Sequence, residues 1–417
     1  MMGYIEQVKK SIGDQKRFSG GLVPFLGFLF VGIYVFLNPY PHTTAIRNIS
    51  FYLAALLLLV HLFRVKAWKE LATPFLMPVG LFVLWIFIGL FFALDIDRSV
   101  HDFRAHLLDY IVLFCLLAVM FPNGSRFRIL SWLIILSVVG SSLHEIYIYY
   151  IKAGHSFSER IALVDQQLPV GPIGMMALYS LILSLALLTS SYETKAGKVL
   201  LGCCSMILFA TVVFAQTRAV YLALPFSLGI LFWGKKRSLV SFLLIGIVLC
   251  GYGFIKLRSL SVENYTDRLT INYISYLIVK EHPVKGIGFG FNTFGDPKFI
   301  DHEYYRKQVP ENILNNEVGI TSPHNMWMGL MIRTGLVGFC LFFAIYVKAL
   351  YMSFRLISAS KNEEANIWGR VGGAGLVAIG IYGLFNVVFM HFLEMLLCVS
   401  FFVISNSYKR NFKWQQI

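Results

Sequence analysis

Residues 256–325 read KLRSLSVENYTDRLTINYISYLIVKEHPVKGIGFGFNTFGDPKFIDHEYYRKQVPENILNNEVGITSPHN, and they form the one long polar interval in a chain that is otherwise a series of apolar runs. Runs of roughly 20 apolar residues recur on both sides of it, which is the length that crosses the hydrocarbon core of a bilayer. Only 14% of the residues are charged, whereas a soluble domain carries about 25%. The pattern predicts an all-α, polytopic membrane protein with one large loop, because a membrane β-barrel would show shorter alternating segments.

About twelve transmembrane helices are predicted from the apolar runs. They cover residues 21–38, 47–63, 74–94, 106–121, 128–150, 169–190, 197–215, 219–233, 238–255, 324–352, 368–386 and 387–406. The chain then has three parts: nine helices in residues 1–255, the large loop in 256–323, and three helices with a tail in 324–417. Because the number of spans is even, both termini are expected on the same side.

The distribution of Lys and Arg indicates which side that is. Both termini and the short segments on their side carry 20 of these residues, whereas the alternate short segments carry 6. Since Lys and Arg concentrate in short cytoplasmic loops, both termini are predicted to be cytoplasmic and the large loop to lie on the opposite face. The formal net charge of +14 is explained by these topology signals, and no nucleic-acid partner is predicted.

The large loop contains a predicted helix and a predicted turn. Apolar residues recur with helical spacing over Asp267–Val279, which is typical of an amphipathic helix lying at the membrane surface. Pro283 is expected to end this helix. The alternate glycines at 286, 288 and 290 indicate a tight or closely packed turn, and they are not a dinucleotide fingerprint because no strand precedes them.

Two arginines are candidate phosphate ligands. Arg218 occupies a very short turn between two apolar runs, where an arginine is costly and usually functional or paired; the alternative is a charge that snorkels to the interface from a helix end. Arg268 stands at the start of the predicted loop helix, where free backbone N–H groups favour anions; the alternative is a solvated surface charge. In both, the planar guanidinium matches the oxygens of a phosphate.

His324 is the candidate general base. It follows Pro323 and precedes Asn325, at the outer N-terminus of the tenth predicted span. A helix N-terminus disfavours imidazolium, and a neutral imidazole can take a proton at neutral pH. The alternative is an interfacial histidine that only caps the helix.

No metal site is predicted. Asp95 and Asp97 form a D-x-D on an outward loop, a spacing that occurs at the metal sites of some membrane glycosyltransferases, but two carboxylates at a helix end are common by chance. Any role for them stays open. The six cysteines all lie in apolar runs and none lies in the large loop, so neither a disulfide framework nor a cysteine metal site is expected.

Several stretches together resemble the O-antigen ligase family, the membrane enzymes that finish bacterial lipopolysaccharide. They are Phe103–Ala105, Glu159–Ile161, Gln216–Ala219, Arg268 with the segment through Pro283, and Ser322–Asn325 running on to Gly335–Gly338. With the twelve-span layout, these stretches cover essentially the whole chain. No single stretch is specific, but the ordered set is characteristic of the wider ligase and polymerase superfamily. Arg333 departs from the pattern, since related sequences often carry an acidic residue there.

The resemblance implies a multi-spanning, lipid-phosphate-dependent (GT-C-like) glycosyltransferase of the bacterial inner membrane, with its active site and large loop on the periplasmic face and without cofactor or metal. Such an enzyme transfers polysaccharide from undecaprenyl pyrophosphate to a sugar hydroxyl of the lipid A–core, with inversion. By resemblance, Arg218 and Arg268 bind the pyrophosphate and His324 is the catalytic base. Arg160 and Arg104 are further outer-face arginines that contact donor or acceptor.

Three other functions remain alternatives. An O-antigen polymerase uses the same donor but a polyprenyl-linked acceptor, and a protein O-oligosaccharyltransferase uses a protein acceptor. A transporter or flippase for the lipid-linked glycan would involve no chemistry, and it predicts charges midway through several spans and pseudo-symmetric halves. The charges of this chain instead gather at one face, and its halves differ.

The predicted topology can be tested with a cysteine at Asn292, in the large loop. Because the Lys and Arg bias places this loop outside the cytoplasm, Asn292→Cys is expected to react with a membrane-impermeant thiol reagent in intact spheroplasts. Labelling that occurs only after lysis would reverse the orientation.

Overall fold

A computed structural model describes residues 21–40, 42–161, 171–234, 263–388 and 390–412, and all regular secondary structure in these ranges is helical. The predicted all-α class is therefore confirmed. The helices are α1 (Leu22–Leu37), α2 (Thr44–Val65), α3 (Leu76–Leu90), α4 (Ile96–Met120), α5 (Gly124–Lys152), α6 (Gly171–Leu188), α7 (Lys195–Ala215), α8 (Arg218–Leu231), α9 (Glu263–Glu281), α10 (His302–Arg306), α11 (Met326–Ala359), α12 (Glu363–Gly383) and α13 (His391–Asn411).

Six of these helices, α2, α4, α5, α7, α11 and α13, are long and apolar enough to cross a membrane, and α1, α3, α6 and α8 are shorter apolar helices. The chain is a polytopic helical membrane protein. A described helix overlaps eleven of the twelve predicted spans, and the ninth, 238–255, lies outside the described residues. The largest boundary error is in α4, which begins at Ile96 rather than near residue 106 and passes through a π-helical turn at Arg104–Leu108.

Helix α12 lies inside the bundle, where it packs against α6, α8, α11 and α13. Its glycines make this possible: a Cβ at Gly372 would meet Ile404, and one at Gly375 would meet Tyr179. Small residues at helix interfaces let helix backbones approach closely. By contrast, α2 exposes large apolar side chains such as Leu56 and Phe63, as expected of a surface that faces lipid.

Within the described residues, short segments rich in Lys and Arg and the large loop join opposite ends of the bundle. At the predicted cytoplasmic end, Lys409 donates to the carbonyls of Lys69 and Ala72, and Arg410 pairs with Glu364 at 3.1 Å. The large loop is joined to the other end. There, for example, Arg98 pairs with Asp296 at 2.8 Å.

The large loop is fastened to a break in α11. Gly335 has φ 66° and ψ −177° within this helix, so the regular hydrogen-bond ladder is interrupted. The carbonyls of Ile332 and Arg333 accept from the N–H groups of Ile287 (2.8 Å) and Gly288 (3.2 Å) of the loop. The N–H of Leu336, which a regular helix would give to Ile332, donates to Pro283 O at 2.7 Å. The loop backbone therefore satisfies polar groups that a broken span would leave open.

This docking confirms the predicted close turn. Gly286 and Gly288 have φ of 69° and 110°, a conformation that glycine adopts without strain. A Cβ at Gly286 would also meet the backbone of Arg333. Gly286 and Gly288 thus lie where the loop contacts α11, whereas Gly290 donates its N–H to Ser99 of α4.

The prediction that the loop helix lies on the membrane surface is wrong. In α9 the apolar residues Ile271, Ile274 and Ile278 are buried against other loop residues such as Phe294 and Ile320. The loop is a small packed unit with its own core, so the apolar face of α9 is covered by protein.

The break in α11 predicts which glycine is irreplaceable. Gly335→Ala would place a Cβ against Val284 O at a positive φ, so it is expected to lower the free energy of unfolding by about 2 kcal/mol or more. Gly202→Ala on α7 is the control, because a Cβ there meets no atom within 4 Å. Thermal unfolding of the detergent-solubilised variants measures both, and equal melting temperatures would contradict a structural break at Gly335.

Candidate functional site

Three arginines and one histidine from separate segments meet at the end of the bundle that carries the large loop. They are Arg160, Arg218, Arg268 and His324. The charge of Arg268 acts on both Arg160 and His324, and the charge of Arg218 acts on Arg268. Four of the five side chains predicted to be catalytic, to bind pyrophosphate or to contact donor or acceptor thus share one electrostatic environment, which we call the basic cluster.

Arg218 is carried by the short connection between α7 and α8. Helix α7 ends at Ala215, Gln216 takes the left-handed conformation with φ 44°, and Thr217 is the N-cap residue that precedes Arg218. Arg218 is therefore the first residue of α8 and is exposed. The N–H groups at the start of a helix favour an anion, so the guanidinium of Arg218 and the N-terminus of α8 are both suited to bind one.

Arg160 is tied to this connection. Its Nε donates to Ala215 O at 3.0 Å, and its Nη2 donates to Thr217 Oγ1 at 3.3 Å. The next residue, Ile161, donates its N–H to Phe214 O at 3.0 Å. Partial removal from water lowers the pKa of Arg160, and the charge of Arg268 lowers it further, while Tyr382 opposes the change. Arg160 thus both holds the turn that carries Arg218 and adds positive charge.

The prediction that Arg268 stands at the start of its helix is wrong. Helix α9 begins at Glu263, so Arg268 lies in the second turn, beyond the free N–H groups of the helix end. Its Nη1 donates to Phe385 O at 3.2 Å, in the connection between α12 and α13. Removal from water and the charge of Arg218 lower its pKa, whereas Tyr382 opposes them.

His324 does not cap α11. Asn325 does so, because its Oδ1 accepts from the N–H groups of Trp327 (2.9 Å) and Met328 (3.1 Å). His324 lies just before the cap, with φ 47° and an exposed side chain. Desolvation and the Arg268 charge lower the pKa of its imidazole. The capping alternative is therefore excluded, and the ring favours its neutral form.

His324 and Arg268 line a polar cavity of about 950 Å³. The same cavity is also lined by residues with carboxylate and amide side chains, including Asp267, Asn315 and Glu317. Carboxylates and amide oxygens accept hydrogen bonds, so the cavity offers acceptors beside two nitrogen-bearing groups. Sequence reasoning missed these residues because nothing in the polar loop marks which of its many side chains face the histidine.

The remaining candidates lie apart from the basic cluster. Arg104 is exposed in the π-helical turn of α4, and within the described residues no hydrogen bond or ion pair joins it to the cluster. Asp95 caps α4 by accepting from the N–H of Arg98 at 3.0 Å and pairs with the Arg98 side chain at 3.2 Å, whereas Asp97 is exposed. The D-x-D is thus explained as a helix start with its ion pair.

A second polar group was missed altogether. His106 of α4 lies against Glu394 and His391 of α13, and Arg333 of α11 lies close by over the ring of Phe291. The available signal was that Arg333 and Glu394 are ionisable residues inside predicted spans, where such residues are usually functional.

These features define a multi-pass helical membrane protein whose basic site lies at one end of its bundle. Residues 203–343, about a third of the chain, match the family model described as O-Antigen ligase. This part includes Arg218, Arg268 and His324. The match confirms the predicted resemblance to the O-antigen ligase family, whose members are glycosyltransferase-like enzymes. No curated protein matches the chain significantly.

The electrostatics of the cluster can be read from the titration of His324. Because removal from water and Arg268 both disfavour imidazolium, its pKa is expected below 6.5, so the ring stays neutral and reactive as the pH falls through that value. Arg268→Ala should move the midpoint to higher pH, whereas Lys298→Ala, which removes an exposed charge elsewhere in the loop, should not. Modification of His324 by diethyl pyrocarbonate against pH, quantified by mass spectrometry, measures this. If Arg268→Ala leaves the midpoint unchanged, the charge of Arg268 does not act on His324, and the prediction is wrong.

Proposed function

We propose that the protein is an O-antigen ligase that transfers a polysaccharide from undecaprenyl pyrophosphate to a sugar hydroxyl of the lipid A–core. The observation that carries the proposal is the basic cluster itself, in which Arg268 lies close to Arg160, to Arg218 and to His324, a histidine of lowered pKa that lines a polar cavity. The site then lies on the periplasmic face of the bacterial inner membrane, as the Lys and Arg bias predicts.

Arg218 and Arg268 bind the pyrophosphate in this proposal. They come from different segments and influence each other electrostatically, so a ligand with two phosphates relieves the repulsion between them. As the bond from the anomeric carbon to the pyrophosphate breaks, negative charge grows on the leaving oxygen. Fixed guanidinium groups stabilise that charge, and no Mg²⁺ or Mn²⁺ is needed for this step. Arg160 supports them by holding the turn at Ala215 and Thr217.

His324 acts as general base. The acceptor hydroxyl attacks the anomeric carbon from the side opposite the pyrophosphate, its proton passes to the imidazole, and undecaprenyl pyrophosphate leaves. One carbon–oxygen bond forms and one breaks, so the anomeric configuration inverts. A lowered pKa means that most of the imidazole is already neutral at pH 7 and can accept the proton.

The polar cavity provides room for a sugar beside the reacting groups. Side chains such as Asp267, Asn315 and Glu317 can accept hydrogen bonds from ring hydroxyls. A sugar in the cavity would lie next to His324 and Arg268, which is where a reacting hydroxyl must be.

The pyrophosphate assignment predicts that charge alone does not suffice at the two arginines. Arg218→Lys and Arg268→Lys keep the charge but lose the planar fork that binds two phosphate oxygens at once. Each is expected to lower transfer at least about tenfold, at an unchanged protein level, because a lost charge-assisted hydrogen bond costs roughly 1.5–3 kcal/mol. Transfer rates with purified polyprenyl-linked donor measure this; wild-type rates for both variants would contradict bidentate binding.

The whole proposal is tested by transfer in vitro with the purified protein, polyprenyl-pyrophosphate-linked glycan and lipid A–core, without added Mg²⁺ or Mn²⁺. Wild-type protein should form the ligated product. His324→Ala and His324→Gln should still bind the donor but lose about 10²–10⁴-fold in rate, since neither side chain takes up a proton at neutral pH.

Two parallel reactions replace the acceptor, one with a second polyprenyl-linked unit and one with a protein. Transfer only to the second unit would make the protein a polymerase, and transfer only to a protein would make it an oligosaccharyltransferase. If His324→Gln transfers at the wild-type rate, His324 only positions the acceptor.

A further inference from the structure

Two histidines and a glutamate that are distant in sequence converge between α4 and α13. The imidazole Nδ1 of His106 lies 2.9 Å from each carboxylate oxygen of Glu394. His391 lies one helical turn before Glu394 on α13, and its ring stacks on that of His106 with centroids 5.2 Å apart. One nitrogen or oxygen atom from each of the three side chains lies within 4.8 Å of the other two. We call these residues the His–Glu triad.

We propose that the His–Glu triad binds a divalent transition-metal ion of the zinc class that joins α4 to α13. Two imidazoles and one carboxylate with an open fourth position are a ligand set that proteins use for zinc, and imidazole selects such ions over Mg²⁺ and Ca²⁺. This site is separate from the basic cluster, and the proposal does not rest on the glycosyl transfer.

The burial of the three residues fits a site with one open side. Glu394 is 7% exposed and His106 is half-buried, whereas His391, the first residue of α13, is exposed. Two ligands are thus held by packing, and the third lies on the open side of the site. At metal–ligand bonds of about 2.1 Å, tetrahedral ligand atoms are roughly 3.4 Å apart, so the side chain of His391 must move inward only slightly.

The surroundings orient the ligands. The hydroxyl of Tyr110, one turn after His106 on α4, donates to His391 O at 2.8 Å and lies 3.3 Å from His391 Nδ1. A hydrogen bond at one ring nitrogen fixes the tautomer and leaves the other nitrogen for a metal. The ring of Phe291 packs against His106 with centroids 4.3 Å apart, which covers the triad from the loop side.

The position of the triad gives the ion a structural role. His391 directly follows the α12–α13 connection, and it is in this connection that Phe385 accepts the hydrogen bond of Arg268. An ion that fixes His391 to α4 therefore holds the connection against which Arg268 rests. The triad also binds α13 to the π-helical turn of α4, where His106 lies, and π turns inside helices frequently mark functional sites.

The positive charge of Arg333 does not prevent a metal ion from binding to the triad. Its guanidinium lies 3.9 Å from the ring centroid of Phe291, and the carboxylates of both Glu394 and Asp102 act on it. Asp102 thus supplies a second negative charge near the triad. Without a metal, the competing arrangement is a simple His106–Glu394 ion pair, and the experiment must separate these two cases.

The experiment uses full-length protein without a histidine tag, purified in detergent and stripped of metal by a chelator. Zn²⁺ is titrated in competition with a chromophoric zinc chelator, and the melting temperature is recorded with and without Zn²⁺. Wild-type protein should bind one Zn²⁺ per chain and melt at a higher temperature with it. His391→Ala and Glu394→Gln should each weaken binding at least about tenfold and lose the Zn²⁺-dependent rise in melting temperature.

His144→Ala is the matched control, because His144 is an exposed histidine beside Glu145 on α5, outside the triad. It should bind Zn²⁺ as wild type does. The proposal is overturned if wild-type protein binds no Zn²⁺, or if His391→Ala and Glu394→Gln bind it as tightly as wild type. If Glu394→Gln fails to fold, His391→Ala decides alone, since the side chain that it shortens is exposed. A result in which the variants melt earlier but wild type binds no metal identifies the simple ion pair.

Discussion

The structure depends on the hydrogen bonds between the backbone of the large loop and the broken part of α11. A membrane span cannot leave backbone carbonyls without a hydrogen bond. At the break in α11 two carbonyls lose their helical partners, and the N–H groups of Ile287 and Gly288 replace them. The same contact decides where the loop lies. Arg268 precedes the docked segment and His324 follows it, at the start of α11 itself, so one backbone contact places two members of the basic cluster.

Arg160 and Arg268 of the basic cluster donate hydrogen bonds to uncharged groups. Arg160 donates to a carbonyl and a hydroxyl, and Arg268 donates to a carbonyl, so these contacts orient the guanidinium groups without neutralising them. Desolvation lowers the pKa of both, which means that burying their charged forms costs free energy. An anionic ligand would remove that cost, and this preorganised positive charge is what the proposed donor requires.

Much of the fold and part of the site could be predicted from the sequence. Span length and apolarity are local properties, so eleven of the twelve predicted spans coincide with a described helix, with errors at their ends. The short turn at Arg218 and the position of His324 beside a span could also be read locally. The buried face of α9 could not, because a lipid surface and a loop core produce the same apolar periodicity. The His–Glu triad was invisible, since its pairing joins α4 to α13 and is determined by the packing of the whole bundle.

The π-helical turn at Arg104–Leu108 changes the direction in which the side chains of α4 point, so the helix presents different faces before and after it. Before it, Ser99 and Asp102 accept from the N–H groups of Gly290 and Phe291 in the loop; after it, the helix packs in the bundle core through residues such as Leu113. A π turn accommodates one extra residue, and each residue of an α-helix corresponds to about 100° of rotation. A natural relative that lacked this extra residue would have a regular α4 and would present a different face to the loop. The number of residues in α4, and not only their composition, therefore determines how the large loop is held against the bundle.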